Sequence, residues 1–378
     1  MGLKILHLHD RMGAFGGGEV YLAGLREGLQ ERGHANRVLY LTPEGSQERL
    51  GPGEFRLKKP LGIVSGRKIG DRIVRIIEEE GPDVIHLHTL FSPVALARVI
   101  GIKPTVFTLH SLHLLPRRGG REPLTPLGLY DRLLRRLTRR VLGGLDGWIA
   151  PSEAFRDQIE AEGFAKGRAT HIPHFTQTGG EPREEAGNRR TILFVGRLSW
   201  EKGIIEFIEA LGRLPKGDWV SVVVGEGPLK EAALKKAEAL GLSGTLRFLG
   251  RLSPEALHLA YQDATLIVVP SMVLEAFGLV GIEAMSFSKP VVAFDAGGVR
   301  DWLVHGENGL LVERGNIDLL AKQIFTLLEN PQVARRMGLE GRRRVEASFR
   351  RGAHLDRVIG LYHKVISARQ AGGRGGER

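Results

Sequence analysis

Short apolar runs recur along the chain, and between them apolar positions return every three or four residues. In the first half the runs are KILHLH (4–9), RVLYL (37–41), DVIHLH (83–88), TVFTLH (105–110) and GWIAPS (147–152). In the second half they are TILFVG (191–196), WVSVVVG (219–225), TLRFLG (245–250), TLIVVPS (265–271) and PVVAFD (290–295). Many are continuously apolar rather than alternating, as parallel strands covered on both faces should be. Helical periodicity fills the intervals at 19–32, 66–80, 153–162, 203–213 and 228–240. This strand–helix alternation, occurring twice, predicts an α/β protein of two doubly wound domains.

The length agrees. A chain of 378 residues exceeds the roughly 250–300 at which single cores stop growing. The stretch QTGGEPREEAGNRR (177–190) is rich in glycine and charge and reads as the interdomain linker. That gives a first domain over 1–176 and a second over 191–348. A final helix over 349–370 is expected to pack back on the first domain, and a tail over 371–378 is expected to be disordered. In open parallel sheets ligands bind outside the carboxyl ends of the strands. Two such sheets facing each other across a cleft would present those loops to one another.

Composition narrows the classes. Hydrophobic content of 42% and charged content of 26% are those of a globular protein. Absence of cysteine excludes disulfides, thiolate zinc sites and thiol catalysis. The start, MGLKILHLHD, is too short in its apolar part and too polar for a signal peptide. No run approaches the ~18 apolar residues of a membrane span, so a cytoplasmic location is the default expectation.

Charge adds one feature. The net charge is +11, and residues 117–140 hold eight arginines against Glu122 and Asp131, a net of +6. Within that stretch Tyr130, Leu133, Leu134, Leu137 and Val141 mark an apolar stripe, with Arg132, Arg135, Arg136, Arg139 and Arg140 between them. Such a helix either turns a solvated basic face outward or lies on an anionic membrane surface at the inner face of the membrane. No aromatic-interleaved basic motif points to nucleic acid.

Candidate chemistry follows the strands. After the first comes GAFGGGEVYLAGL, in which Gly16, Gly17 and Gly18 lead into a helix. Backbone amides of such a loop, with a helix N-terminus, can receive an anion, or the glycines can serve a turn alone. In VGRLSWEKG (195–203), Arg197 and Lys202 straddle a helix start, a spacing suited to a diphosphate or to a solvated loop. GEGPLK turns tightly at Gly225 and Gly227, either past a base or simply into the next helix.

In SMVLEAFGLVGIEAM (271–285), Glu275 and Glu283 lie eight residues apart inside apolar sequence. Buried carboxylates need a partner or a task. Gly278 marks the helix entrance, so Glu275 falls in the loop and Glu283 inside the helix, where it could accept bonds from vicinal hydroxyls. Histidines follow the first-half strands: His86 and His88, then His110 and His113. His110 directly ends a strand, where a cleft residue belongs. His86 and His88 share one face of a strand, and no third ligand is spaced sensibly, so no metal site is expected. There is no D-x-D to hold a divalent cation on a nucleotide diphosphate.

Taken in order, GGGE, TLH, VGRLSWEKG, GEGP, FLGRLSPEAL and VPSMVLEAFGLVGIEAMSFSKPVVAFDAGGVRDWLVHGENGLLV resemble the retaining glycosyltransferases of family 4 (glycosyl transferases group 1). The resemblance covers nearly the whole chain and is dense from 191 to 312. It implies a GT-B fold of two Rossmann-like domains and transfer of a sugar from a nucleotide diphosphate sugar, uridine-linked by expectation, to a hydroxyl acceptor. A lipid-linked glycan or cell-envelope polysaccharide is the expected acceptor class. By position, Arg197 and Lys202 would neutralise the diphosphate, and Gly16 and Gly17 would close over it from the other domain. Glu275 would contact donor sugar hydroxyls and Glu283 the ribose. Amides at Phe277, Gly278 and Leu279 would reach sugar or phosphate, Gly225 and Arg251 would complete the donor pocket, and His110 would face the reacting sugar.

Two departures fall on the acceptor side. His174 and Phe175 stand where the family often has Asn-Gly, and Ser111 follows His110 where it often has Asp or Gly. No cofactor and no metal are expected. Departure of the diphosphate would rest on cations and helix N-termini alone. Two rivals are another GT-B enzyme, such as a nucleotide-sugar epimerase, and a non-catalytic nucleotide-sugar-binding module.

Overall fold

The computed structural model describes residues 2–9, 16–42, 48–51, 54–58, 63–111, 126–165, 167–177, 179–180 and 190–373. The start of the glycine loop (10–15), most of the 177–190 stretch, residues 117–125 of the basic segment, His113 and residues 374–378 of the tail lie outside them. The chain divides into two compact units, Met1–Pro173 with Arg351–Arg378, and His174–Arg350.

The first unit runs β1 (Lys4–His9), α1 (Gly17–Glu31), β2 (Ala35–Thr42), β3 (Glu48–Gly51), β4 (Glu54–Lys58), α2 (Ile63–Glu80), β5 (Val84–Leu87), α3 (Pro93–Val99), β6 (Thr105–Thr108), α4 (Pro126–Leu142), β7 (Gly147–Ala150), α5 (Glu153–Ala161) and β8 (Ala169–His171). Its eight strands lie in the order β3-β4-β2-β1-β5-β6-β7-β8. All neighbours are parallel except β3 and β4. β1 is central because KILHLH offers apolar or neutral side chains to both faces, and Ile5 to His9 are all buried. α1 buries the stripe Tyr21, Leu22, Leu25 and Leu29.

The chain's last helix, α12 (Arg351–Gly373), belongs to this unit. It buries Leu355, Val358, Leu361, Tyr362 and Val365. Gly28 of α1 permits its approach, since a Cβ there would fall 2.5 Å from Leu355 Cδ1.

The second unit runs β9 (Arg190–Val195), α6 (Ile204–Gly212), β10 (Trp219–Val224), α7 (Lys230–Ala239), β11 (Leu246–Gly250), α8 (Pro254–Asp263), β12 (Leu266–Val269), α9 (Leu279–Ser286), β13 (Val291–Phe294), β14 (Gly309–Val312), α10 (Ile317–Glu329) and α11 (Pro331–Ser348). The six strands are parallel, in the order β11-β10-β9-β12-β13-β14. β9 shows why both faces are apolar. Ile192 and Phe194 enter one core with Phe207, Ile208 and Ile324. Leu193 enters the other with Tyr261, Phe277 and Trp302. Strand order reverses at β9 and β12, so the crevice outside their carboxyl ends is the topological switch point. In the first unit the reversal falls between β1 and β5. Each unit is thus a doubly wound α/β domain.

Four strands escape the sequence pattern: β3, β4, β8 and β14. β3 and β4 are charged and short, ERLG and EFRLK, and they form a hairpin at the sheet edge, where one face needs no apolar cover. β8 has three residues, too few to show a period.

Candidate functional site

In the second unit the residues of interest gather at the switch point. Arg197 follows β9, and the loop then makes a 3-10 turn over Trp200–Lys202. Gly203 ends that turn with φ of 70°, and a Cβ there would fall 1.8 Å from the carbonyl oxygen of Pro270. This close passage against the end of β12, which only glycine permits, sets Lys202 beside the loop that carries Glu275. Lys202 Nζ donates to Glu275 Oε1 at 2.5 Å, and Ser271 Oγ donates to the same oxygen.

The backbone of Glu275 is fixed as firmly as its side chain. Its N–H donates to Ala296 O and its carbonyl accepts from Gly298 N. Its carboxylate is buried, whereas Lys202 is partly open and Arg197 is exposed. Burial pushes the Glu275 carboxyl up, but the charge and hydrogen bond of Lys202, with the bond from Ser271, outweigh this and hold it below its ordinary value. A buried carboxylate is therefore kept ionised beside an ammonium with donors to spare. Among the described residues, the Arg197 guanidinium has neither an ion pair nor a hydrogen bond.

Gly278, with φ of 88°, caps α9, whose first-turn amides have no carbonyl within the helix to accept them. Phe277 is buried beneath, its carbonyl accepting from Trp302 Nε1 at 2.5 Å. Leu279 opens the helix and Glu283 lies four residues on. Tyr261 of α8 donates to Glu283 Oε2 at 2.8 Å. Burial raises the Glu283 carboxyl, with the Tyr261 bond and the charge of His258 opposing. Ser271 and Tyr261 were not legible as site residues from sequence, since each lies on a different element from the group it holds or four residues away across an irregular loop.

Gly225 and Gly227 each make room for a close backbone passage. A Cβ on Gly225 (φ 139°) would fall 1.9 Å from Gly196 O, and one on Gly227 2.4 Å from Leu198 O. They let GEGP lie against VGRLS, with Leu198 N donating to Glu226 O and Leu229 N to Leu198 O. Arg251 is exposed after β11. His174 is buried in this unit, its ring edge-on to Phe277 at 5.6 Å, and Phe175 is buried beside it in sequence.

In the first unit Gly16 caps α1 in an extended conformation and Gly17 opens it. Gly18 follows, where a Cβ would touch the rings of both His110 and His9 at 3.7 Å. The glycine loop and His110, far apart in sequence, are thus neighbours. Tyr21 presents a ring to His110 edge-on at 5.1 Å.

Behind His110 lies a group of buried histidines. His110 Nε2 faces His88 Nδ1 at 3.4 Å, and His88 Nε2 faces His7 Nδ1 at 3.0 Å. His86 bonds the Tyr362 hydroxyl at 2.6 Å and Thr108 Oγ1 at 2.7 Å. His354 Nδ1 donates to Pro173 O at 2.7 Å, which leaves its Nε2 to accept from the Tyr21 hydroxyl at 3.0 Å. Burial, with the charges of Arg26 and His9, drives His7 down to about 3. Burial drives His86 and His88 well below their ordinary value, helped by the charge of His7 on His86 and by those of His86 and His7 on His88. His354 is lowered to about 4, chiefly by burial.

The expectation that no third nitrogen stands near His86 and His88 is corrected. Register pairs His7 with His86, and ring nitrogens of His7, His86 and His88 lie within 4.8 Å of one another. The set nonetheless fits a cation poorly. Both nitrogens of His86 are engaged. Among the described residues no carboxylate joins the group, so a divalent charge would enter the core uncompensated.

Comparison with known proteins bears on both units. The family model described as Glycosyltransferase Family 4 matches residues 15–179, and that described as Glycosyl transferases group 1 matches 180–344. The O-antigen chain mannosyltransferase C of Escherichia coli is 24% identical over 385 aligned positions, covering 97% of this chain and all of that protein. Among solved structures, a sucrose-phosphate synthase from Thermosynechococcus elongatus superposes with a TM-score of 0.78 at 22% identity, covering 97% of this chain and 100% of that one. The Anabaena protein HepE, in complex with UDP and glucose, superposes with a TM-score of 0.75 at 22% identity, covering 96% and 100%.

Proposed function

This chain belongs to glycosyltransferase family 4 and has the GT-B fold, and we propose that it moves a sugar, with retention of configuration and without a metal, from a uridine diphosphate sugar to a hydroxyl acceptor. The observation that carries this reading is the Lys202–Glu275 pair at the switch point of the second unit, with the exposed Arg197 on the same loop after β9. A departing diphosphate needs positive charge fixed before the reaction begins. Arg197 and Lys202 supply it, and the first-turn amides of α9, with Phe277 and Gly278 before them, supply partial charge of the same sign.

Glu275 is held ionised, and since Lys202 and Ser271 share its Oε1, its other oxygen accepts from hydroxyls of the donor sugar. Glu283 accepts from ribose hydroxyls through the oxygen Tyr261 does not use. In the first unit the amides of Gly16 and Gly17 can receive an anion, and His110, next to Gly18, orients the reacting sugar. The sugar passes through an oxocarbenium-like state, and the leaving phosphate takes the proton of the incoming hydroxyl on the same face. UDP bound by HepE supports the choice of base, and the mannosyltransferase supports a glycan acceptor.

No helix among the described residues is long and apolar enough to cross a membrane. We place the enzyme at the inner face by contact, through α4. Its Leu133, Arg136 and Arg140 are exposed.

Arg197→Ala tests the site. The side chain is exposed, so thermal stability should hold while kcat falls by ~10²–10³, the scale for one preorganised donor. Unchanged kcat with a UDP-sugar the wild type consumes would remove the diphosphate assignment.

A further inference from the structure

The histidine chain behind His110 has a consequence for the sugar site, and it rests on the reading that His110 orients the reacting sugar. Both ring nitrogens of His88 are committed, Nδ1 to His110 Nε2 and Nε2 to His7 Nδ1. A neutral imidazole has one N–H and one lone pair. Placing one proton in this row therefore fixes the other two: if His7 donates to His88, His88 must donate to His110, and the reverse holds equally. The row ends at His7 Nε2, which is buried with no partner among the described residues.

Rotation of His110 is restricted from other sides. The Tyr21 ring stands against it, Gly18 leaves its Cβ side just open, and the His88 ring lies nearly parallel at 5.7 Å. A solvated histidine exchanges tautomers freely; this one can change its tautomer only together with His88 and His7.

We propose that His88 is a positioning residue for His110, fixing both its ring orientation and the nitrogen that carries its proton. His88 touches no substrate in this scheme. Its burial and neutrality matter because a charged His88 would donate from both nitrogens and break the row's polarity. Burial holds it uncharged through the working range.

Two measurements test this. In wild-type protein with 15N-labelled histidine, a scalar coupling across the hydrogen bond should link His88 Nδ1 and His110 Nε2, and His110 should show one tautomer from pH 6.5 to 8.5. Separately, His88→Leu should lower kcat on the order of 10²-fold, as a misplacement near 1 Å does, with little change in donor KM. His88→Asn, which retains a polar atom near the Nδ1 position, should recover most of the loss. Absence of the coupling, or exchanging His110 tautomers, overturns the proposal even if His88→Leu fails to fold. His110→Ala separates the two ideas: wild-type activity in that variant removes the role of His110, while the coupling still reports the His88 contact.

Discussion

Glu275 and Lys202 are separated by 73 positions in sequence, yet their pairing depends on one residue that carries no side chain. Gly203 occupies a left-handed conformation with Pro270 O in the space a methyl would need. Gly203→Ala should destabilise the second unit by about 1–3 kcal/mol through strain alone, and should move Lys202 away from Glu275. Thermal midpoint and donor KM measured together check this, with a fall in the first and a rise in the second expected. A neutral outcome would mean the loop yields without moving its lysine. At this scale the sequence was partly readable. Arg197, Lys202 and Glu275 stand out because charged residues among apolar ones after strands demand a reason. Ser271 and Tyr261 do not, because a hydroxyl beside a carboxylate is a fact of folding rather than of spacing. Gly225 and Gly227 read as tight turns, and the oxygens their Cβ atoms would strike belong to a neighbouring loop.

Among the elements, the long parallel strands were legible because burial on both faces leaves a continuous apolar trace. The edge hairpin of β3 and β4 was not, for the opposite reason. The convergence of His7 with His86 is a property of register, which no single strand records. In α4 the arginines divide between packing and exposure. Arg139 is tied to Glu162 and lies over the Phe164 ring at 4.5 Å, so it serves packing. Arg136 and Arg140 remain outward with Leu133. Anionic liposomes should therefore retain the protein at low salt and release it as salt rises, each outward arginine contributing about 1 kcal/mol. Arg136→Glu with Arg140→Glu should abolish retention, and equal retention on neutral vesicles would remove the electrostatic account.

For the whole molecule, the two units answer acid differently. His7, His86, His88 and His354 are neutral when folded and held below the ordinary value of 6.5. Unfolding lets them bind protons, so the stability they contribute is complete above about pH 6.5 and is lost as pH falls towards their folded values. Each can contribute a slope of up to ~1.4 kcal/mol per pH unit. Glu275 in the second unit is depressed from 4.5, so its contribution is lost only at lower pH. Calorimetric scans from pH 7.5 to 4.5 should show a first-unit transition whose midpoint drops, and His354→Asn should flatten that slope. A midpoint indifferent to pH would contradict neutral burial.

The chain also leaves the first unit at Pro173 and returns to it at Arg351. On the ribosome the first unit's sheet emerges early, yet Tyr362 and His354, the partners of His86 and Tyr21, are translated after the second unit. The later-made unit is contiguous and can close first, although amino-terminal regions ordinarily fold ahead. Nascent chains stalled before residue 351 should thus hold a finished second lobe and an open first one, whose histidine cluster still lacks Tyr362 and His354.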